Sequence, residues 1–240
     1  MMGRFNELCA IIFDLDGTLC KYGLPIPAAL SEAFRQIGQG ELFAAHRVSL
    51  GGKQYRELLH AIDREAVKYK SRGTEALRRL LREAGLDEEL AQKAGPSFIK
   101  MLAESVELRP GAERVIKSLD EYKLGLITNG PSGVQWRKIQ RLGIEPWFAA
   151  IIVSGDLGVE KPEGAIFTRM LAMLNVRPEE ALYVGDSPYY DVQGAKRAGL
   201  WAAWLNPQGE DHDKDLPPPD LELRRLEELL PVLSAGEQLP

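Results

Sequence analysis

Two hydrophobic periodicities divide this chain of 240 residues. Ile11, Ile12 and Phe13 make a continuous apolar run that ends in Asp14-Leu15-Asp16-Gly17-Thr18-Leu19. Such a run suits a strand buried on both faces of a sheet. From residue 26 to residue 105 only helical spacing follows. Leu30, Phe34 and Ile37 share one face, as do Leu58, Ile62 and Ala66, and then Leu77, Leu80, Leu81 and Ala84. Gly38, Gly51-Gly52, Gly73, Gly85 and Gly95-Pro96 punctuate this block, and Thr74 and Asp87 can cap helix starts.

Beyond Pro110 the two patterns alternate. Apolar runs at 124–128, 149–153, 181–185 and 200–205 are separated by stretches whose apolar residues recur at helical spacing: Val115, Ile116 and Leu119; Val134, Ile139 and Leu142; Ile166, Met170 and Leu174; then 192–198. Strands alternating with helices predict right-handed crossovers and a parallel sheet covered on both faces. The first strand must join that sheet to satisfy its backbone. The expectation is an α/β core formed by residues 1–19 and 106–240, with an all-helical insertion at 20–105. Its hinges are expected at Cys20–Pro25 and Glu104–Arg109. Asn206 to Pro219 reads as a loop, and Leu221 to Leu233 as a closing helix.

Composition adds exclusions. With 45% hydrophobic and 27% charged residues, the chain is ordinary for a globular protein, and its net charge of -5 argues against a general nucleic-acid or anionic-membrane binder. No apolar stretch approaches the roughly 20 residues that span a bilayer, and no signal-peptide pattern opens the sequence. The 2 cysteines, Cys9 and Cys20, do not make a disulfide framework, so a reducing cytoplasm is the expected home. His46, His60 and His212 have no metal-ligand spacing.

The candidate chemistry lies at the carboxyl ends of the predicted strands, where open α/β sheets bind ligands. Asp14 and Asp16, one residue apart, can divide nucleophilic or metal-binding work from proton transfer; alone, Asp-x-Asp-Gly is also an ordinary turn. Thr128-Asn129-Gly130 offers a hydroxyl and backbone N–H groups to a phosphate, or simply turns the chain. Lys161, before Pro162, can neutralise an anion or sit in solvent. Asp186 and Asp191, after Gly185, suggest a hard-cation site, while Asp186 is also a plausible N-cap.

In order, these four signals are Asp-x-Asp, Thr, Lys and Asp, each following a strand. The sequence resembles the haloacid dehalogenase superfamily of hydrolases, whose four motifs match Asp14-Leu15-Asp16-Gly17-Thr18, Thr128, Lys161-Pro162 and Gly185-Asp186 with Asp191. The resemblance spans essentially the whole chain. It implies a Rossmann-like core with the first strand central, and a C1-type helical cap at 20–105. It further implies a phosphatase with Asp14 as nucleophile and Asp16 as general acid/base. Asp14, the backbone carbonyl of Asp16, and Asp186 would hold Mg²⁺. Thr128, Asn129 and Lys161 would bind the phosphoryl group, and Asp191 would orient Lys161 or a metal-bound water.

The implied substrate is a small phosphomonoester. Leu126 to Pro131, Gln135-Trp136-Arg137 and Trp204-Leu205-Asn206 look most like nucleotidase-type members acting on nucleoside monophosphates. Phosphoglycolate and sugar-phosphate phosphatases are alternatives, followed by a sugar phosphomutase and a 2-haloacid dehalogenase. Asp16 and Asp186 speak against the last, since dehalogenation needs neither metal nor a second proton-transferring aspartate. Lys53 and Arg56, with Tyr55, Lys70 and Arg72, are the insertion's candidates for contacting the leaving group; a solvated face is the alternative. Trp201 and Trp204 read as sheet packing. A monomer or homodimer is expected, without nucleic-acid or membrane partners.

Overall fold

A computed structural model describes residues 7–49, 82 and 87–234. Its centre is a six-stranded sheet ordered β5-β4-β1-β6-β7-β8. These strands are β1 (Ala10–Phe13), β4 (Lys123–Thr128), β5 (Ala150–Val153), β6 (Ala181–Gly185), β7 (Trp201–Leu205) and β8 (Leu221–Leu223). Every adjacent pair in it is parallel. β1 is central: Phe13 is in register with Leu126 on one side and Val184 on the other. The connections run first to one side of β1 and then to the other, so the topology switches at β1 and opens a crevice beyond its carboxyl end.

Alternation along the strands assigns two buried faces. Ala10, Ile12, Ile127, Ile152, Tyr183, Ala202 and Trp204 form one apolar cluster with Ile166, Phe167, Met170, Leu171 and Leu174 of α7 (Gly164–Leu174) and with Ala195 of α8 (Gln193–Arg197). Ile11, Phe13, Leu126, Leu182 and Val184, which alternate with these, are buried too. Burial on both faces is why these strands are continuous apolar runs.

The chain separates into two compact units. The first holds residues 1–21, 108–132 and 142–240, and the second holds residues 22–107 and 133–141. In the second, α1 (Ile26–Gln36), α2 (Gly40–Ser49) and α3 (Glu88–Glu104) supply an apolar cluster of Ala29, Leu30, Ala33, Phe34, Phe43, Ala94, Phe98 and Leu102. Phe34 and Phe43 stack with ring centroids 4.5 Å apart. Much of α5 (Ser132–Leu142) belongs with this unit. Arg137 pairs with Glu104 at 3.2 Å, Arg141 Nε donates to Glu104 O at 3.2 Å, and buried Lys138 lies 5.2 Å from the Tyr22 ring centroid.

Two local expectations change. Leu221 to Leu223 form an edge strand rather than the start of a closing helix. Leu221 and Leu223 are buried and Glu222 exposed, a period of two, and Asp220 N and Asn206 N bond to Ala202 O and Leu223 O at 2.8 and 2.7 Å. Helix α9 begins only at Leu229 (Leu229–Ser234). Gly95-Pro96 does not end a helix; α3 runs through it, with exposed Pro96 forgoing one intrahelical bond. The expected hinge segments form a two-stranded ribbon, β2 (Cys20–Tyr22) with β3 (Val106–Leu108). It is bracketed by bonds from Arg109 N to Leu19 O and from Gly23 N to Ser105 O, both 2.8 Å. Asp87 does cap α3, accepting from Glu89 N at 2.9 Å. Between β3 and β4 lies α4 (Ala112–Lys117), and α6 (Ser154–Leu157) follows β5.

Candidate active site

Asp14 directly follows β1, and its N–H still donates to Val184 O at 2.9 Å, so the sheet fixes the chain where this carboxylate emerges. Leu15 to Cys20 form a tight loop in which Leu19 N and Cys20 N both bond to Leu15 O at 3.0 Å. Gly17 turns within it at φ +85°, and a Cβ there would strike the Asp186 carboxylate. Glycine alone satisfies both demands. Gly185 leaves room for Asp191, whose carboxylate occupies the space a Cβ would need.

Asp14 is wholly buried, and a buried carboxylate requires charged and hydrogen-bonded partners. Lys161 Nζ donates to its Oδ1 at 2.6 Å, and Thr18 Oγ1 to its Oδ2 at 3.2 Å. Lys161, only 1% exposed, also donates to Asp191 Oδ1 at 2.6 Å and to Tyr183 Oη at 2.9 Å. An ammonium has three N–H donors, and all three are engaged by these partners. Asp191 Oδ1 additionally accepts from Tyr183 Oη at 3.2 Å, while its Oδ2 accepts from Ser187 N at 3.0 Å. Burial, and then the charges of Asp191 and Asp14, push the Tyr183 phenol well above its ordinary pKa and keep it neutral.

Carboxylate oxygens of Asp14, Asp186 and Asp191 all lie within 4.8 Å of one another. Three anions against one ammonium leave an excess of negative charge that a divalent cation would balance. The all-oxygen donor set suits Mg²⁺ or Ca²⁺. Asp191 is already committed to Lys161, Tyr183 and Ser187, so Asp14 and Asp186 are the better-placed ligands. Asp186 is fixed from behind by Trp204, whose Nε1–H donates to its carbonyl at 3.0 Å. The Asp16 side chain lies outside this carboxylate cluster; its Oδ1 takes a 3.7 Å contact from the Cys20 thiol.

Thr128, the last residue of β4, is buried at the same sheet edge. The Asn129 side chain has a partner the sequence did not suggest. Its Oδ1 accepts from Lys161 N at 2.9 Å and its Nδ2 donates to Lys161 O at 3.0 Å, a reciprocal lock on the lysine backbone. Gly130 N donates to Ser154 Oγ at 2.9 Å, which ties the turns after β4 and β5 together. Asp14, Lys161, Asp186 and Asp191 are thus brought together, with Thr128 and Asn129 at the same edge. Lys53 and Arg56 lie outside the described residues. Thr18, Tyr183 and the indole bond of Trp204 escaped sequence reasoning; a hydroxyl inside the fully buried run Leu182-Tyr183-Val184 was the available signal.

The family model for haloacid dehalogenase-like hydrolases matches residues 9–199. A glyceraldehyde 3-phosphate phosphatase of Methanopyrus kandleri is 34% identical over 235 residues, covering 93% of this chain and 96% of that protein. A phosphoserine phosphatase of Thermus thermophilus is 31% identical over 239 residues, covering 88% and 95%. The structure of the Bacillus subtilis HAD-hydrolase YfnB bound to magnesium matches with a TM-score of 0.72 at 28% identity, covering 94% of this chain and 98% of that one.

Proposed function

Because the chain belongs to the haloacid dehalogenase-like hydrolase family and is a phosphatase of it, we propose that it hydrolyses small phosphomonoesters through an aspartyl-phosphate on Asp14, with Mg²⁺ as its cation. The observation that carries this reading is the buried pair of Lys161 and Asp14 at 2.6 Å, at the end of the central strand and beside Asp186. The pairing keeps a nucleophilic carboxylate charged in a place that would otherwise penalise it.

A carboxylate oxygen of Asp14 attacks phosphorus, and the bond from phosphorus to the leaving oxygen breaks. Asp16 gives that oxygen its proton, then takes one from the water that attacks the aspartyl-phosphate, which returns Asp14 and inorganic phosphate. Thr128 and the backbone N–H of Asn129 hold the phosphoryl oxygens. Once Asp14 is esterified its hold on Lys161 weakens, and the released N–H serves the charge spread over those oxygens. Asp14, Asp186 and the carbonyl of Asp16 would hold Mg²⁺, which supplies charge neutralisation as a phosphate dianion meets a carboxylate. Asp191 orients Lys161.

Two relatives that cover most of the chain at over 30% identity are named for phosphates of three-carbon compounds, while others are named for a ribulose bisphosphate and for pyrimidine nucleotides. The first pair favours a compact leaving group over the nucleoside monophosphate expected from the sequence. We assign the choice among such esters to the insertion at 20–105, acting as a C1-type cap, with Lys53 and Arg56 as its contact candidates. We place the enzyme in a reducing cytoplasm, since Cys9 and Cys20 form no disulfide. Phosphate release is to be measured from glyceraldehyde 3-phosphate, phosphoserine, phosphoglycolate and a nucleoside monophosphate, each with Mg²⁺ and with chelator. Mg²⁺-dependent release, fastest from a three-carbon ester, is expected. Release of halide from 2-chloropropionate without phosphate release would overturn the proposal.

A further inference from the structure

Tyr183 lies on β6 with its ring in the apolar cluster, edge-on to Phe167 at 5.2 Å between centroids. Packing alone would be served by phenylalanine. The hydroxyl is what distinguishes this residue, and it is fully enclosed, where a polar atom is tolerated only with partners. Its partners are specific. It accepts from Lys161 Nζ at 2.9 Å, which commits its own proton to Asp191 Oδ1 at 3.2 Å or to Ile127 O at 3.4 Å. The ammonium also lies 5.4 Å from the ring centroid.

Lys161 carries its ammonium on a long flexible stem, and that ammonium must first be held on Asp14 before it can serve the phosphoryl oxygens. Asp191 supplies a countercharge and one hydrogen bond. The phenol adds a third, directional acceptor on a rigid ring set by a strand, so ammonium, phenol and carboxylate form a closed triangle. Backbone placement is supplied independently by the Asn129 lock. We propose that Tyr183 is a positioning residue of the phosphatase reaction, acting through Lys161 to hold the ammonium on Asp14. The inference rests on Asp14 as nucleophile and Lys161 as its partner. Substrate does not need Tyr183 in order to bind, so its loss falls on turnover rather than on affinity.

The test compares Tyr183→Phe with wild type under saturating Mg²⁺ on the best substrate of the panel, well below the thermal midpoint. Misplacement of a catalytic group typically costs roughly ten- to a hundred-fold, and that fall is expected in kcat, with KM changed less than about twofold. Phe167→Leu, which loosens the same ring without touching the ammonium, should lower the thermal midpoint and leave kcat near wild type. Equal kcat losses in Tyr183→Phe and Phe167→Leu would make the effect one of packing and overturn the proposal, as would a wild-type kcat in Tyr183→Phe. If Tyr183→Phe fails to fold, the hydroxyl serves stability rather than the ammonium's position, and the proposal is overturned. Asp14→Asn is assayed alongside. An active Asp14→Asn would sink the nucleophile assignment itself, whereas an inactive Asp14→Asn with a normal Tyr183→Phe would remove only the role of Tyr183.

Discussion

Asp191→Asn separates charge from hydrogen bonding in the buried cluster. Asp191 is 1% exposed and accepts three bonds, two at Oδ1 from Lys161 and Tyr183 and one at Oδ2 from Ser187 N. With an effective dielectric near 20, attraction to Lys161 at 2.6 Å is worth about 6 kcal/mol. Repulsion from Asp14 and from Asp186, at separations up to 4.8 Å, is at least about 3.5 kcal/mol each. Repulsion thus matches or exceeds attraction in the absence of metal, so removing the charge alone should not lower stability. Geometry then decides. A carboxamide keeps its oxygen toward Lys161 and turns its NH₂ against Ser187 N–H, orphaning that donor at a cost of about 1–3 kcal/mol. For a chain of this size that corresponds to a fall of roughly 2–12 °C in thermal midpoint. The measurement is calorimetry of the purified variant in chelator. A fall far beyond this range would show that the ion pair dominates, and an unchanged midpoint would show that the Ser187 bond carries nothing; either result would refute the reasoning.

Asp14→Asn should abolish turnover while circular dichroism shows the native fold, because the side-chain volume is kept and the nucleophile's charge is lost. Chelation should stop phosphate release and added Mg²⁺ should restore it, while Asp186→Ala should raise the Mg²⁺ concentration needed for half-maximal rate. Ca²⁺ should inhibit, because its larger radius and looser coordination engage both oxygens of a carboxylate that must keep one for attack; equal rates in chelator and Mg²⁺ would contradict the metal assignment.

Much of the core is legible in the sequence because parallel strands buried on both faces must be largely apolar, as β1 and β6 are and as β4 is between Lys123 and Thr128. Their carboxyl ends are legible for the same reason, since the apolar run stops where the chemistry starts. Short and ambiguous elements are not. Leu221 and Leu223 alternate over three residues only, and Leu226 and Leu229 continue a spacing that fits a helix equally well, so pairing with β7 decides the matter. Pro96 carries a strong local signal, yet the apolar face of α3 outweighs one lost bond.

Within the site, charged residues announced themselves and the groups that hold them did not. Lys161 alone reads as a solvated lysine; its burial follows from Asp14 and Asp191, 147 and 30 residues away along the chain. Asn129 stands in the turn after β4, and nothing local shows that its side chain closes onto a backbone 32 residues distant. Tyr183 and Trp204 hid behind their rings: both pack as apolar strand residues, and only their polar tips meet the site.

The central claim is that Asp14 carries the phosphoryl group. Asp16→Asn removes the proton donor and the base that activates water, which slows dephosphorylation and lets the intermediate collect. The variant is mixed with a small activated phosphomonoester and Mg²⁺, quenched in acid, digested and mapped by mass spectrometry. The account predicts one phosphoryl group on the peptide containing Asp14, absent when Asp14 is also replaced by Asn. Continued phosphate release with no phosphorylated Asp14 at any quench time would contradict it.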